Sequence, residues 1–138
     1  MESVQGEEKK DAVRRGRLGV VLYSTPSSSL MRLGIELIRA ALAQGYDVDA
    51  FAWGDAVNAT TTASLKATDG SANPAADLAG LLGLHGEGSP RFTLSLCTTC
   101  YKTRGIASEQ AIPGARMGSM HNLVELFRSC DRTIAMVP

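Results

Sequence analysis

The sequence has no net charge, no long apolar run and few aromatic residues. Its 14 Lys and Arg residues balance 14 Asp and Glu residues, so charge gives no reason to expect nucleic acid or an anionic membrane surface as a partner. No stretch approaches the roughly 20 apolar residues that a helix needs to span a bilayer. We therefore expect neither DNA binding nor membrane association.

A secretion signal is also missing at the amino terminus. Residues 1–17 are rich in charge and contain no apolar core, so we expect a disordered leader followed by one domain over residues 18–138. The cysteines number 3, which is an odd count for a disulfide framework. Together these features predict reduced thiols and a cytoplasmic location.

The chain further lacks the common signatures of nucleotide and metal sites. Residues 24–29 contain neither GxGxxG nor a Walker lysine. No two acidic residues have a spacing that indicates a glycosidase or a metal site. Cys97 and Cys100 form a Cys-x-x-Cys pair, but a zinc site needs four ligands, so this pair alone is weak evidence for zinc.

What the chain does contain is an alternation of apolar runs and amphipathic segments. The run LGVVLY at residues 18–23 does not alternate with polar residues, which is typical of a strand buried on both faces of a parallel sheet. Residues 30–44 repeat apolar side chains at three- and four-residue spacing, which predicts a helix. Asp47–Trp53 predicts a second strand, and a helix between two strands is the crossover of a parallel sheet.

The rest of the chain continues the pattern of strands and helices. Asn73 and Pro74 predict the start of a helix at residues 75–84, and residues 54–69 predict a loop with little hydrophobic anchoring. Further helices are predicted at residues 98–103 and 120–130, and strands at residues 90–96, 115–117 and 132–137. The sequence thus predicts an α/β fold, a three-layer α/β/α sandwich with flavodoxin-like layering around a mostly parallel sheet of about five strands.

The segment Arg91–Ile106 carries the candidate chemistry. A predicted strand ends at Cys97 and a short helix follows, and ligands of parallel sheets bind at the carboxyl ends of strands. Unpaired backbone N–H groups and the positive charges of Lys102 and Arg104 stabilise a thiolate at such a position. The alternative is a small buried core cysteine, because free cysteine often has that role.

Cys100 and two histidines are further candidates near this thiol. The Cys-x-x-Cys spacing allows a redox dithiol, although the thioredoxin-like motif follows the first strand and this pair follows the third predicted strand. His85, in a glycine-rich loop, and His121, at the start of a helix, are candidate bases for Cys97. Histidines at such positions are more often surface residues.

Three other polar residues have structural interpretations. We expect Cys130, which precedes the last predicted strand, to be a buried structural cysteine. Asp47 and Asp49 flank the second predicted strand. We expect both carboxylates to be solvated charges at the edge of the sheet.

Several segments, in order and spacing, resemble the DsrE/DsrF/TusD-like sulfur-relay proteins of the DsrE-like superfamily. In that family a strand ends in cysteine, and an Arg-Gly-aliphatic triplet follows at the distance that separates Cys97 from Arg104-Gly105-Ile106. The closing helix and strand of the family are similar to GSMHNLVEL at residues 118–126 and CDRTI at residues 130–134. The first strand and helix and the segment GDAVNA at residues 54–59 also resemble the family, so the resemblance covers residues 18–137.

The resemblance implies a cytoplasmic α/β protein that assembles into trimers or hexamers and takes part in sulfur relay, for sulfur oxidation or tRNA thiolation. It implies that Cys97 carries sulfane sulfur as a persulfide or thiosulfonate, received from a rhodanese or a TusA-like carrier. Cys100 lies outside the pattern of the TusD branch. We consider it a candidate resolving thiol, which attacks a Cys97 persulfide and releases sulfide.

The expected function is therefore that of a sulfurtransferase-like sulfur carrier without a classical turnover site. Such a relay needs a reactive thiolate but no metal and no organic cofactor. One alternative is a thiol-disulfide oxidoreductase that uses Cys97 and Cys100. The other is a non-catalytic oligomeric scaffold subunit, whose mark is a buried and unreactive Cys97.

Overall fold

The computed structural model describes residues 16–66 and 73–137, so most of the expected leader lies outside the described residues. Arg17, assigned to that leader from the sequence, instead begins the first strand. The strands are β1 (Arg17–Leu22), β2 (Asp47–Ala52), β3 (Phe92–Cys97), β4 (Arg116–Gly118) and β5 (Arg132–Met136). The α-helices are α1 (Ser29–Ala43), α2 (Pro74–His85), α3 (Thr98–Thr103) and α4 (Met120–Ser129).

Side-chain caps fix where the three longer helices begin. The Ser28 hydroxyl accepts a hydrogen bond from a backbone N–H of the first turn of α1, and Asn73 and Ser119 do the same for α2 and α4. Each cap satisfies a donor that has no partner inside the helix and contributes about 1 kcal/mol to stability. In the described ranges, none of these helices is long and apolar enough to cross a membrane.

The five strands form one parallel sheet in the order β4-β3-β2-β1-β5. Leu22 and Gly19 of β1 point to opposite faces, because side chains alternate along a strand. An added Cβ at Gly34 of α1 would lie 2.7 Å from Leu22, whereas one at Gly19 would lie 2.6 Å from Leu126 of α4. Since α2 packs on α1, these two helices cover one face and α4 covers the other, which confirms the predicted three-layer α/β fold.

The two carboxylates of β2 are not solvated edge charges, so that expectation is wrong. Asp47 is 7% exposed and accepts a hydrogen bond from the backbone N–H of Arg91 at 2.8 Å. Asp49 accepts a hydrogen bond from the Thr93 hydroxyl at 2.6 Å and lies 3.6 Å from a guanidinium nitrogen of Arg17. The reason is topological: β2 is the central strand of the sheet, with β1 and β3 on either side.

The segment after β2 is more ordered than the sequence predicts. Instead of a loop with little hydrophobic anchoring, it forms 3-10 helices at Gly54–Ala59 and Ala63–Lys66. Ala56 and Val57 are completely buried, and so is Thr60. The first of these short helices, Gly54–Ala59, packs against α3 at the carboxyl end of β3.

Candidate functional site

The candidate thiols lie where β3 passes directly into α3. β3 ends at Cys97, which pairs with Gly118 of the neighbouring strand β4, and α3 begins at the next residue. The Cys97 sulfur caps this helix by accepting a hydrogen bond from the backbone N–H of Cys100, with 3.3 Å between nitrogen and sulfur. The predicted junction of strand and helix is therefore present at the predicted residues.

Cys97 itself is a buried thiol. It is 2% exposed, and this burial is the main reason why its pKa is raised above the ordinary value for cysteine. A hydrogen bond with the Cys100 side chain and the charge that Cys100 can carry raise the pKa of Cys97 further. The backbone N–H of Cys100 lowers the pKa of Cys97, but its effect is smaller than that of burial. The stabilised thiolate that we expect at Cys97 is therefore not what the structure shows.

Cys100 is partly exposed and contacts a segment that is distant in sequence. Its sulfur accepts a hydrogen bond from the backbone N–H of Gly54, with 3.2 Å between nitrogen and sulfur. Gly54 follows β2, so the carboxyl ends of neighbouring strands meet at this thiol. We did not predict this contact from the sequence; the only local signal for it is a glycine directly after a strand.

An ion pair joins the Gly54–Ala59 helix to α3. A guanidinium nitrogen of Arg104, just after α3, lies 2.7 Å from a carboxylate oxygen of Asp55. This bond is the main reason why the pKa of Arg104 is raised, so Arg104 keeps its positive charge. Arg104 also interacts electrostatically with Cys100 and Cys97, which agrees with the predicted contribution of Arg104 to the charge around the thiols.

A buried hydrogen bond on the other side of α3 reinforces this contact. Tyr101 is 1% exposed, and its hydroxyl lies 2.7 Å from the side-chain oxygen of Thr60. The same hydroxyl is 3.3 Å from the backbone carbonyl oxygen of Thr60. Thr60 directly follows the Gly54–Ala59 helix, so the two contacts together fix that helix against the turn that carries Cys100.

The two histidines do not contact the thiols in the part of the chain that the structure describes. His85 ends α2, and its Nδ1 lies 3.3 Å from the carbonyl oxygen of Pro90, which is at the amino end of β3. His121 is exposed in the first turn of α4. His85 is therefore at the wrong end of the strand to serve Cys97 as a base. His121 is at the correct end but has no hydrogen bond to either thiol.

Cys130 has a site of its own on the face covered by α4. It is partly buried, and its sulfur lies 3.8 Å from a carboxylate oxygen of Asp49. Burial, followed by the negative charge of Asp49, raises the pKa of Cys130 to about 11. All three cysteines are free thiols. Among residues 16–66 and 73–137, no group of three or more His, Cys, Asp or Glu side chains is arranged to hold a metal ion.

Comparison with known proteins identifies a family and several similar structures. Residues 17–136 match the model of the DsrE/DsrF-like family. The crystal structure of the ychN protein from E. coli has a TM-score of 0.69 and 23% sequence identity, covering 87% of this chain and 98% of that one. The structure of MTH1491 from Methanobacterium thermoautotrophicum, described as a protein of unknown function, has a TM-score of 0.65 at 15% identity, with the same coverage of both chains. At these identities the likeness concerns the fold, and no curated protein sequence matches the chain.

Proposed function

The chain belongs to the DsrE/DsrF-like family, whose members are related to sulfur relay, and from that membership we propose that it carries sulfane sulfur on the Cys97–Cys100 pair. The donor is a persulfide of the kind that a rhodanese or a TusA-like carrier bears, and the acceptor is a second thiol. Relay in the cytoplasm, for sulfur oxidation or tRNA thiolation, is part of the same proposal.

The observation that carries the proposal is the pairing of two free thiols at the carboxyl end of β3, beside a charged guanidinium. A thiolate is the nucleophile that takes sulfur from a persulfide, and positive charge and N–H donors stabilise it. Cys100 has both, from Arg104 and from the backbone of Gly54. Transfer of sulfur from one thiol to another needs neither a metal nor an organic cofactor, so cysteine thiols can carry it out.

Sulfur loading followed by discharge tests this function. Reduced protein is incubated with glutathione persulfide, freed of the donor, weighed intact by mass spectrometry and then mixed with excess dithiothreitol. We expect a gain in mass of one sulfur atom, which the acceptor thiol removes as sulfide. The double variant Cys97→Ser/Cys100→Ser is the matched control, because it retains Cys130. A wild-type protein that gains no sulfur, or gains no more than the double variant, would contradict the proposal.

Self-association into a trimer or hexamer is a second part of the proposal. Met120, Val124 and Phe127 lie on one side of α4 and are 49%, 57% and 52% exposed. Exposing such a stripe of apolar side chains to water is unfavourable, and covering it with another surface removes that cost. We propose that the stripe of a second copy of this chain covers it. The net charge is zero, so copies do not repel one another over long distances.

Thiol-disulfide exchange is a second candidate function, and one observation favours it. The Cys97 sulfur and the Cys100 backbone already form a hydrogen bond within a single helical turn, which is the arrangement of a dithiol that closes to a disulfide. Equilibration with glutathione buffers of stepped potential separates the two functions. An oxidoreductase interconverts dithiol and disulfide and reduces insulin, whereas a sulfur carrier loads and discharges sulfur without insulin reduction.

A further inference from the structure

The two thiols of the pair differ in how an incoming donor reaches them. Cys97 is 2% exposed, whereas Cys100 is partly exposed. Sulfur transfer requires the attacking thiolate to approach the outer sulfur of the donor, with the bond to the leaving thiol pointing away from the attacker. A sulfur that is almost fully enclosed by the protein does not allow that approach, and the sulfur of Cys100 does.

The sulfur of Cys100 also faces a hydrogen-bond donor and a positive charge. The N–H of Gly54 points at its sulfur, and a hydrogen bond to the charged form of a group favours that form. Arg104 interacts electrostatically with the same sulfur. Cys97, by contrast, is enclosed by the protein, and its pKa is raised first by this burial and then by its hydrogen bond with the Cys100 side chain.

The segment that supplies the N–H donor is held at this position by its own contacts. Gly54 has φ +63°, a left-handed conformation that side chains other than glycine rarely adopt. An added Cβ there would lie 2.6 Å from the ring of Tyr23. The ion pair of Asp55 with Arg104 then closes the segment onto α3. A glycine, an aromatic ring and an ion pair together aim one N–H group at Cys100.

We propose that Cys100, rather than Cys97, is the thiol that attacks the sulfur donor, and that the backbone N–H of Gly54 holds its thiolate. The inference rests on the proposed carrier function and names the entry point of the sulfur. Asp55 and Arg104 are positioning residues, because their ion pair holds the Gly54 segment against the helix that carries Cys100. Cys97 is the buried thiol of the pair.

The proposed step is a displacement at sulfur without net oxidation or reduction. The Cys100 thiolate attacks the outer sulfur of a donor R–S–SH and forms a new S–S bond with it. The S–S bond of the donor breaks, and its electron pair leaves on the donor as the thiolate R–S⁻. The proton of the outer sulfur stays with that atom, so the products are Cys100–S–SH and R–S⁻.

Loading rates of single variants test the proposal. Wild type, Cys97→Ser and Cys100→Ser are incubated with glutathione persulfide at neutral pH, and the gain of one sulfur atom is followed by intact mass. We expect Cys97→Ser to load at the wild-type rate and Cys100→Ser to load no faster than the double variant. Circular dichroism and thermal melts establish that each variant is folded, and Cys97→Ala replaces Cys97→Ser if the buried hydroxyl unfolds the protein.

Three results would count against the proposal, and they differ in what they overturn. If Cys100→Ser loads at the wild-type rate and Cys97→Ser does not load, sulfur enters at Cys97, and the carrier function stands without this inference. If both single variants load as fast as wild type, neither thiol is the required entry point, and the inference fails. If wild type does not load, the proposed function fails and the inference fails with it.

Two glycine variants separate the role of the Gly54 N–H from general strain. Gly54→Ala places a Cβ against the Tyr23 ring at a positive φ and disturbs the N–H that points at Cys100. We expect loading to slow about tenfold, as for loss of one hydrogen bond to a charged group. Gly105→Ala is the matched control, because Gly105 also has positive φ, at +68°, but an added Cβ meets nothing within 4 Å. Equal loading rates in the two variants would overturn the role assigned to Gly54.

Trp53 provides an independent signal of where the sulfur arrives. Trp53 is the single tryptophan of the sequence and directly precedes Gly54. Its ring centroid lies 4.5 Å from that of Tyr23. Loading at Cys100 changes the hydrogen bond of the Gly54 N–H, which belongs to the residue after Trp53. We therefore expect a change in Trp53 emission during loading of wild type and of Cys97→Ser. Cys100→Ser should show no such change under the same conditions. A change of emission in Cys100→Ser that follows sulfur loading would contradict the proposal.

Discussion

At the scale of single residues, the thiols of the Cys-x-x-Cys pair differ mainly in burial. Helix-start geometry and nearby charge led us to expect a lowered pKa at Cys97, but α3 is only 6 residues long and desolvation has the larger effect. Burial of Cys97 is one of the two marks of a non-catalytic scaffold subunit. The other mark is a lack of reactivity. Because Cys100 lies beside Cys97 and is partly exposed, burial of Cys97 alone does not make the pair unreactive.

Cys130 gives a prediction about stability at alkaline pH. Its pKa is raised from 9.0 to about 11 in the folded protein, so the folded state binds this proton more tightly than the unfolded chain. The stabilisation is complete below about pH 9 and is lost as pH rises through about 11. We expect wild type to lose about 1–2 kcal/mol more than Cys130→Ser over this range, after allowing for the partial exposure of the thiol.

Urea unfolding at several pH values, with reductant present, measures this effect. Other groups titrate over the same range in both proteins, so the difference between the two slopes isolates the thiol. Parallel stability curves for wild type and Cys130→Ser above pH 9 would show that Asp49 and burial do not hold the proton as described.

At the scale of elements, the buried hydroxyl of Tyr101 links α3 to the segment after β2. We expect Tyr101→Phe to lower the free energy of unfolding by about 1 kcal/mol, because two contacts with Thr60 are lost while Thr60 keeps other partners. The backbone amides of residues 54–60 should exchange faster with solvent. Urea unfolding and hydrogen exchange measure the two effects.

Tyr46→Phe is the control for this prediction. Tyr46 is partly buried against the core, whereas Tyr101 is fully buried, and the Tyr46 hydroxyl makes no hydrogen bond within the described ranges. Its removal should leave stability and exchange close to those of wild type. If Tyr101→Phe behaves like Tyr46→Phe, the Tyr101 hydroxyl does not fix this segment.

Elements that depend on local signals were predictable from the sequence, and those that depend on distant contacts were not. Asn73 and Pro74 located the start of α2, and the predicted α3 agrees residue for residue with the observed one. The 3-10 helices after β2 escaped prediction, because residues 54–66 have no strand or α-helix periodicity. They are ordered by distant contacts, the first helix against α3 and the second against α2.

The candidate site shows the same division. Cys97 was a candidate because a predicted strand ends there, Cys100 because of its spacing from Cys97, and Arg104 because of its sequence distance to Cys97. The Gly54–Cys100 hydrogen bond joins residues 46 apart in sequence, and only the register of β2 and β3 brings them together. Burial of Cys97 was equally beyond local reasoning, because it depends on what covers the end of β3.

At the scale of the whole molecule, the exposed stripe of α4 predicts how copies associate. We expect wild type to sediment as a trimer or hexamer and Val124→Glu to sediment as smaller species, because a buried carboxylate without a partner is costly at an interface. Leu33→Glu on α1 is the matched control, since Leu33 and Val124 are both 57% exposed. Analytical ultracentrifugation over a range of protein concentrations gives the masses.

A monomeric wild type would contradict self-association altogether. Dissociation by Leu33→Glu, with Val124→Glu unchanged, would place the interface on the α1 side of the sheet instead. Loading of sulfur by the dissociated Val124→Glu variant would show that each site is complete within one chain. The contacts of Cys100 described above, all made within one chain, predict that result.

The central claim is that the Cys97–Cys100 pair carries sulfane sulfur, and fragment mass spectrometry of loaded wild-type protein tests it most directly. Trypsin cleavage after Arg91 and Lys102 places both thiols on one peptide, residues 92–102, while Cys130 falls on another. After loading with glutathione persulfide and alkylation, we predict one additional sulfur atom on residues 92–102, located by fragmentation at Cys100. Residues 92–102 without added sulfur, or sulfur found only at Cys130, would contradict the account.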